Sequence, residues 1–521
     1  MSESNQIELN QNNADTEFDI NDPNNEFDIV TVPAESIYSG LILKNDYVLL
    51  KKIGSGNNAG VWLAYQSSTK LYLAIKVQDE RCYKDGCREV VIIKNINEYC
   101  NTREKNIHCV SMLDYFVYED NKNQFVCSVY ELYAGNIKMI LNKGKYKYGL
   151  PLNIVKSITK QMLIALSTLH NDLKIIHTDI KPENILLKGI FNDHKNIMDI
   201  FDKSGFQSKY DELQKEYAND EVKFQEEFES LALFSVQDLI ALDTCFDNSE
   251  EFISDEEYDS DDIIEGETDF DDDEYDEEDE YDESDVKSEE ENNYNECDIK
   301  KYNTRDQSVE DIIEHIDYSG MHNFEVETDY DFNSVLNNRG NSSDNVQLID
   351  DIYVNKCETA LTDFGNAYFY DKRTRNEIQD RRYRCPEVIL DLNYGYGCDI
   401  WSLACVVFEL ATGFGLFEPD DYPLNMDIHH LYLMEKLVGP IPVQMKKLSK
   451  RKKFLFDKQR KYHIKNLEEF EQYPMKQRLA EQYLFSEKDA EEMADFIMSA
   501  LKHDPAERAS AEELLNHPWI K

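Results

Sequence analysis

The most informative stretch of the sequence is HTDIKPEN at 177–184, which places a carboxylate, a lysine and an amide close together. Asp179 could accept a proton from a substrate hydroxyl, and Lys181 could neutralise charge on a phosphoryl group in transfer. Asn184 follows Asp179 by five residues, and a second carboxylate, Asp363, opens the sequence DFG. Amide and carboxylate oxygens are ligands that magnesium accepts. This set of residues predicts phosphoryl transfer.

A glycine-containing turn and a strand lysine precede that stretch. The turn GSG at 54–56 follows a β-rich run, and glycines there let backbone amides approach phosphate groups closely. Lys76 ends the sequence LAIK on a later strand, and Glu89 on the following helix could pair with it. A tight hairpin, a solvated lysine or a surface glutamate would explain each of these residues alone. Their order along the chain favours one nucleotide-dependent site.

Together with CPE at 385–387, these motifs resemble those of the eukaryotic protein kinases, over residues 41–190 and 357–521. Within that superfamily the chain is most similar to the SR-protein kinases. Thr178 stands where most kinases have Arg. The segments that carry the similarity are LTDFGNA, IQDRRYRCPEVIL, CDIWSLACVVFELATGFGLFEP and NHPWI.

The distance between the two functional carboxylates supports the same resemblance. Asp179 and Asp363 are 184 residues apart, and SR-protein kinases also place a long charged spacer at this point. The segment HLYLMEK at 430–436 is similar to the LAMMER signature of Clk-type kinases. SR-protein kinases carry docking carboxylates in this helix for arginine-rich substrates, whereas His429 and Lys436 stand here instead.

The resemblance implies an α+β fold of two lobes, one small and β-rich and one large and helical, with a long acidic disordered insert. It implies a serine/threonine protein kinase that uses ATP and Mg²⁺. The catalytic residues would be Asp179, Lys181, Lys76 and Glu89, and the metal ligands would be Asn184 and Asp363. The residues expected to bind the nucleotide are Ile53, Gly54, Ser55, Gly56, Val61, Ala74, Lys76, Tyr130, Glu131, Tyr133 and Leu186.

Further roles follow from the resemblance. Glu387 should pair with Arg508 to brace the substrate platform, and Asp399 should hold the backbone of the catalytic loop. Many kinases use the residue before the catalytic Asp to bind a phosphate on the activation segment. Because Thr178 cannot pair with that charge, we expect activity without activation-segment phosphorylation. In the phosphate loop, Asn58 stands where an aromatic residue is common.

The chain has 521 residues, of which 105 are acidic and 55 are basic, giving a formal charge of -50. The charge is unevenly placed. Residues 188–358 contain 55 acidic and 12 basic residues, and the first 40 contain nine acidic residues and no Lys or Arg. Such an excess of negative charge argues against direct binding to nucleic acid. Residues 247–291 hold 27 acidic residues and one lysine, a composition typical of disorder.

These observations predict four regions: a disordered acidic tail (1–40), the first part of a kinase domain (41–190), an acidic spacer (191–356) and the rest of the kinase domain (357–521). Helical periodicity predicts one or two helices within 207–245 of the spacer. The expected partners are protein substrates, either basic or rich in Arg and Ser. No membrane association is expected, and we predict an intracellular monomer, cytoplasmic, nuclear or both. Two alternatives remain: a pseudokinase scaffold and an acidic module that binds basic proteins.

Overall fold

The computed structural model describes residues 28–31, 38–56, 59–78, 80–120, 123–141, 144–146, 148–240, 351–372, 377–420, 425–457, 459, 461–462 and 473–521. Asn58, the acidic stretch 247–291 and most of the tail 1–40 lie outside these residues. The prediction of disorder for the tail is wrong at Asp28–Thr31, which form a strand paired with 116–119, and it stays a prediction for the residues that are not described.

The small lobe is a seven-stranded sheet with the order β1-β6-β7-β5-β4-β3-β2, in which only the β1–β6 pair is parallel. The β-rich runs predicted in this part of the chain are confirmed as strands. The strands are β1 (Asp28–Thr31), β2 (Ile42–Leu43), β3 (Tyr47–Gly56), β4 (Ala59–Gln66), β5 (Leu71–Gln78), β6 (Met112–Asp120) and β7 (Asn123–Tyr130).

Helix α1 (Tyr83–Arg103) packs beside this sheet and carries Glu89. Its buried apolar residues recur at helical spacing, among them Val90, Ile93 and Ile96, so one face of the helix is directed at the core. Glu104 ends the helix in the left-handed conformation, and its amide bonds to the Cys100 carbonyl. The helix that the sequence predicts around Glu89 is thus confirmed.

The large lobe is mainly helical. Its elements surround the helix α9 (Gly397–Thr412), which is buried along almost its whole length. The bilobal α+β fold is confirmed. The elements that follow the sheet are β8 (Tyr133–Asn136), α2 (Ile137–Leu141), α3 (Leu152–Thr168), β9 (Ile175–Ile176), β10 (Ile185–Lys188), α4 (Asn192–Lys203), α5 (Phe206–Glu216), α6 (Glu221–Ser235), α7 (Asp351–Lys356), β11 (Thr359–Leu361), β12 (Tyr368–Phe369), α8 (Pro386–Ile389), α9 (Gly397–Thr412), α10 (Met426–Val438), α11 (Val443–Leu448), α12 (Lys452–Leu455), α13 (Met475–Gln477), α14 (Glu487–Ala500) and α15 (Ala511–Leu515).

Two small sheets position the catalytic segments. In the first, β10 lies between β8 and β11, so the strand after the catalytic loop is paired with the strand before DFG. In the second, β9 before the catalytic loop pairs with β12 after DFG. The spacer between β10 and β11 therefore interrupts the chain without separating these strands.

Helices α4–α6, at the start of the acidic spacer, form a helical cap on the small-lobe sheet. The prediction of helices within 207–245 is confirmed for the residues described, and the helical region begins earlier, at Asn192. Tyr65 of the sheet donates to Gln207 at 2.6 Å, and Tyr72 donates to Asp202 at 2.6 Å. The apolar cluster joining sheet and cap consists of Ile42, Val48, Leu50, Leu63, Tyr65, Ile197, Phe201, Phe206, Tyr210, Phe228, Leu231, Ala232, Val236 and Leu239.

This packing makes the first part of the spacer a structural component of the small lobe. A deletion beginning at residue 200 would expose apolar sheet residues, so it would not test the spacer alone. Replacing Phe201, which is 1% exposed, by Ala should lower the free energy of unfolding by about 3 kcal/mol, because it leaves a cavity between cap and sheet. Urea denaturation measures this change.

Phe234 on α6 provides the matched control, because it is 56% exposed. Phe234→Ala should change the free energy of unfolding by much less than Phe201→Ala. Equal effects of the two substitutions would show that the cap does not contribute a core to the small lobe.

Candidate active site

The catalytic loop brings its three predicted functional side chains together. Lys181 Nζ lies 3.2 Å from Asp179 Oδ2. Asn184 Nδ2 donates to that same oxygen at 3.0 Å and to the Asp179 carbonyl at 2.8 Å. A short 3-10 helix, Pro182–Asn184, turns the chain so that Asn184 meets Asp179. The Asp179 carboxylate is therefore held by contacts within its own loop.

The backbone of the loop is held by one fully buried carboxylate, Asp399 on α9. Asp399 accepts hydrogen bonds from the amides of His177 and Thr178, both at 2.8 Å, and its Oδ2 lies 2.9 Å from His170 Nε2. Burial raises the pKa of Asp399, but the hydrogen bonds, chiefly that with His170, outweigh burial and lower the pKa. These contacts match the expectation that Asp399 holds the loop. They hold Thr178 at a φ of 68°, which is unusual for a β-branched residue.

Lys76 is shared by two carboxylates from different parts of the chain. Its Nζ lies 2.9 Å from each oxygen of Glu89 on α1 and 2.8 Å from Asp363 Oδ1. The charge of Lys76 lowers the pKa of Asp363 to about 2. Burial opposes the charge on Lys76, but Glu89 and Asp363 outweigh burial and raise the lysine pKa. The predicted catalytic pair and the predicted metal ligand therefore form one charged cluster.

Strand register places the predicted nucleotide-binding residues around this cluster. Gly54 on β3 is opposite Val61 on β4, and Ala74 on β5 is opposite Tyr130 on β7. Burial raises the pKa of the Tyr130 hydroxyl. The remaining predicted residues lie in β3 (Ile53, Ser55 and Gly56), between β7 and β8 (Glu131), at the start of β8 (Tyr133) and in β10 (Leu186).

The oxygen donors of the site suit a hard divalent cation. Asn184 uses its amide nitrogen to bind Asp179, and Asp363 uses Oδ1 to bind Lys76. The remaining side-chain oxygens of Asn184 and Asp363 enter neither contact. An amide oxygen and a carboxylate oxygen are ligands of the kind that Mg²⁺ accepts.

Uncharged side-chain hydrogen bonds help to hold the activation segment after DFG. Thr178 Oγ1 donates to the Asn366 carbonyl at 2.7 Å. Gln379 is buried, donates to the Cys398 carbonyl at 2.9 Å and to Ser402 Oγ at 2.8 Å, and accepts from the Cys385 amide at 3.0 Å. These bonds tie the segment to α9 on one side and to the catalytic loop on the other.

Sequence reasoning missed two residues of this arrangement, Gln379 and Arg88. Gln379 lies within the segment IQDRRYRCPEVIL, whose similarity to the SR-protein kinases was a signal for this position. The sequence did not indicate which hydrogen bonds the Gln379 side chain makes. Arg88 precedes Glu89 on α1 and donates to the Gly365 carbonyl at 2.6 Å. No sequence pattern indicated this contact, because its partners are 277 residues apart.

The expected pair below the substrate platform is present and fully buried. Arg508 donates to the two Glu387 oxygens at 2.8 and 3.1 Å, and both side chains are at most 1% exposed. Arg508 also donates to the carbonyls of Gly397 and Lys502. This geometry joins α8, α9 and the segment before α15 by charge-assisted bonds.

Comparison with known proteins agrees with this geometry. The protein kinase domain model matches residues 47–215 and 347–520. The chain is 50% identical to the putative serine/threonine-protein kinase L205 of Acanthamoeba polyphaga mimivirus, over 100% of this chain and 97% of that protein. It is 27% identical to the serine/threonine-protein kinase SKY1 of Saccharomyces cerevisiae, over 91% and 74%, and 26% identical to the mouse SRSF protein kinase 3, over 92% and 87%.

The chain therefore belongs to the protein kinase family. The expectations of a eukaryotic protein kinase, of the serine/threonine class and similar to the SR-protein kinases, are confirmed. Among the helices in the described part of the chain, none is long and apolar enough to cross a membrane.

Glu387→Gln should lower the free energy of unfolding by about 3 kcal/mol, because it leaves the Arg508 charge buried without its partner. Thermal or urea denaturation measures the loss. Glu377→Gln is the matched control, because Glu377 pairs with Arg384 at 3.4 Å but its side chain is 85% exposed. A loss for Glu387→Gln no larger than that for Glu377→Gln would contradict the bracing role.

Proposed function

We propose that the protein transfers the γ-phosphoryl group of ATP to Ser or Thr hydroxyls of protein substrates, with Asp179 as the catalytic base. Lys181, 3.2 Å from Asp179, would neutralise charge on the transferring group. Asn184 and Asp363 would hold Mg²⁺, which supplies charge neutralisation on the phosphates when bound. The observation that carries this proposal is Lys76 bound to both Glu89 and Asp363.

The same observation argues against a pseudokinase scaffold, because every charged residue that phosphoryl transfer requires is present and paired. In this proposal Lys76 contacts the α- and β-phosphates while Glu89 fixes its position. Ala74 and Leu186 enclose the adenine, and the backbone from Glu131 to Tyr133 binds its edge. The turn at 54–56 covers the phosphates.

The proposal includes activity without phosphorylation of the activation segment. The position before Asp179 is occupied by Thr178, whose hydroxyl bonds to a backbone carbonyl of the segment instead of to a phosphate. Gln379 supplies further neutral bonds. A phosphate is therefore not needed to order the described parts of this segment.

Protein produced in bacteria and treated with phosphatase should keep its full kcat, because the contacts that order the described parts of the segment come from the chain itself. Steady-state kinetics before and after treatment measure this, with mass spectrometry to confirm removal of phosphate. A tenfold or greater fall in kcat that ATP preincubation restores would contradict the prediction.

The site favours basic substrates through Glu183 in the catalytic loop. Oε2 of Glu183 is buried without a hydrogen-bond partner among the described residues, and Oε1 lies 4.0 Å from Lys138. Burial raises the pKa of this carboxyl group. The Glu183 side chain is 39% exposed, so an Arg or Lys next to the substrate hydroxyl could reach its carboxylate and pair with it. Asp380, 3.8 Å from Lys181, adds negative charge nearby.

The helix α10 is less suited than Glu183 to bind the arginines of a substrate. Both carboxylates of this helix are already paired: Asp427 with Arg381 and Arg451, and Glu435 with Lys446 at 2.9 Å. An arginine-rich substrate would have to displace these partners. We therefore propose that selection of Arg- and Ser-containing substrates depends on the catalytic cleft and not on α10.

A peptide array with purified enzyme and ATP-magnesium tests the catalytic and substrate proposals together. Wild type should phosphorylate Ser flanked by Arg more strongly than Ser flanked by Ala. Asp179→Ala should lower the rate at least about 100-fold, because the base is lost. Glu183→Gln should reduce the preference for Arg and leave the rate on neutral peptides nearly unchanged.

Asp495→Ala and Glu229→Gln, at exposed positions far along the chain from the loop, are the matched controls and should behave as wild type. Equal signal from Asp179→Ala and wild type would reject the catalytic assignment. An unchanged Arg preference in Glu183→Gln would reject the role of Glu183 while leaving the kinase assignment intact.

An intracellular location is also proposed. Cys87, Cys127, Cys385, Cys398 and Cys405 are buried free thiols, which fits a reducing compartment. Cytoplasm and nucleus both meet that condition.

A further inference from the structure

Arg88 connects the small-lobe helix α1 to the activation segment. One guanidinium nitrogen donates to the Gly365 carbonyl at 2.6 Å and lies 2.8 Å from Asp85 Oδ1 on the same helix. The centre of the guanidinium group lies 4.7 Å from the centroid of the Tyr368 ring. One side chain thus contacts both the DFG turn and the strand that follows it.

These contacts lie next to the cluster of Lys76, Glu89 and Asp363. Arg88 is the residue immediately before Glu89, which binds Lys76. Gly365 follows Asp363 by two residues, and Asp363 also binds Lys76. Any rotation or outward shift of α1 that separates Glu89 from Lys76 would therefore also break the Arg88–Gly365 bond.

Tyr368 extends the connection to the catalytic loop. Tyr368 on β12 is paired with Ile176 on β9, and Ile176 immediately precedes His177, the first residue of the loop. A guanidinium group can donate a hydrogen bond and stack on an aromatic ring at the same time, which an ammonium group does less well. Arg88 therefore links α1, the DFG turn and the strand entering the catalytic loop.

We propose that Arg88 is a positioning residue that keeps Glu89 paired with Lys76 while the activation segment carries no phosphate. This inference rests on the proposed kinase activity, and it names the contact that takes the place of a phosphate-dependent one. Arg88 is not expected to contact substrate or nucleotide. Its effect on catalysis is exerted through α1.

Three variants of the full chain test the proposal: Arg88→Ala, Arg88→Lys and Arg103→Ala. Arg103 is the matched control, because its guanidinium stacks on Tyr99 of the same helix at 4.2 Å without reaching the activation segment. Arg88→Ala should lower kcat roughly tenfold, the effect of losing one charge-assisted hydrogen bond from the active arrangement. Arg88→Lys should recover part of the loss, and Arg103→Ala should retain the wild-type kcat.

Two further readouts separate positioning from general stability. The Tm of Arg88→Ala should fall no further than that of Arg103→Ala. Amide hydrogen exchange should become faster in 83–103 and 364–369 of Arg88→Ala and remain unchanged in 397–412, because only the linked elements loosen. Adding ethylguanidinium to Arg88→Ala should restore part of the rate.

A wild-type kcat in Arg88→Ala, or equal losses in Arg88→Ala and Arg103→Ala, would overturn the proposal. Unchanged hydrogen exchange at 364–369 would overturn it as well. The exchange measurement needs no activity. If wild type proved inactive while Arg88→Ala still loosened both segments, the proposed function would fail and the structural link would stand.

Discussion

The arrangement of the active site depends on one lysine that is shared by two carboxylates. Lys76 comes from the sheet, Glu89 from α1 and Asp363 from the chain beyond the spacer, 287 residues after Lys76. Glu89 is buried and Lys76 is largely buried, so either charge without a partner would be costly, whereas the Asp363 side chain is 41% exposed. Because the three charges stabilise one another, the sheet, the helix and the DFG turn must be correctly placed at the same time.

In the large lobe, a buried carboxylate holds the catalytic loop in place. Asp399 on the buried helix α9 binds two loop amides, so the loop is anchored to the buried core of the large lobe. The pairs β9–β12 and β10–β11 then align DFG with the loop. A spacer can enter between β10 and β11 because these contacts join the segments on either side of it.

The sequence was sufficient to predict the two lobes and to group Asp179, Lys181 and Asn184 in one loop, because short motifs such as 177–184 carry fixed local geometry. Their order along the chain predicted that Lys76, Glu89 and Asp363 would meet. The helical cap was harder to predict. Leu233, an apolar residue within the range 207–245 predicted to be helical, is exposed, whereas Phe201, which precedes that range, is buried. Which face of each helix is buried depends on the sheet beneath it, and local periodicity does not contain that information. Arg88 was missed for the same reason.

We propose that contacts within the chain alone hold this site in a catalytically competent arrangement. A crystal structure of the unphosphorylated protein with a nonhydrolysable ATP analogue and Mn²⁺ tests it most directly. We predict anomalous peaks for Mn²⁺ beside Asn184 and Asp363, with Lys76 between Glu89 and the phosphates. Bound nucleotide with Lys76 and Glu89 apart, or with the metal away from both predicted ligands, would contradict it.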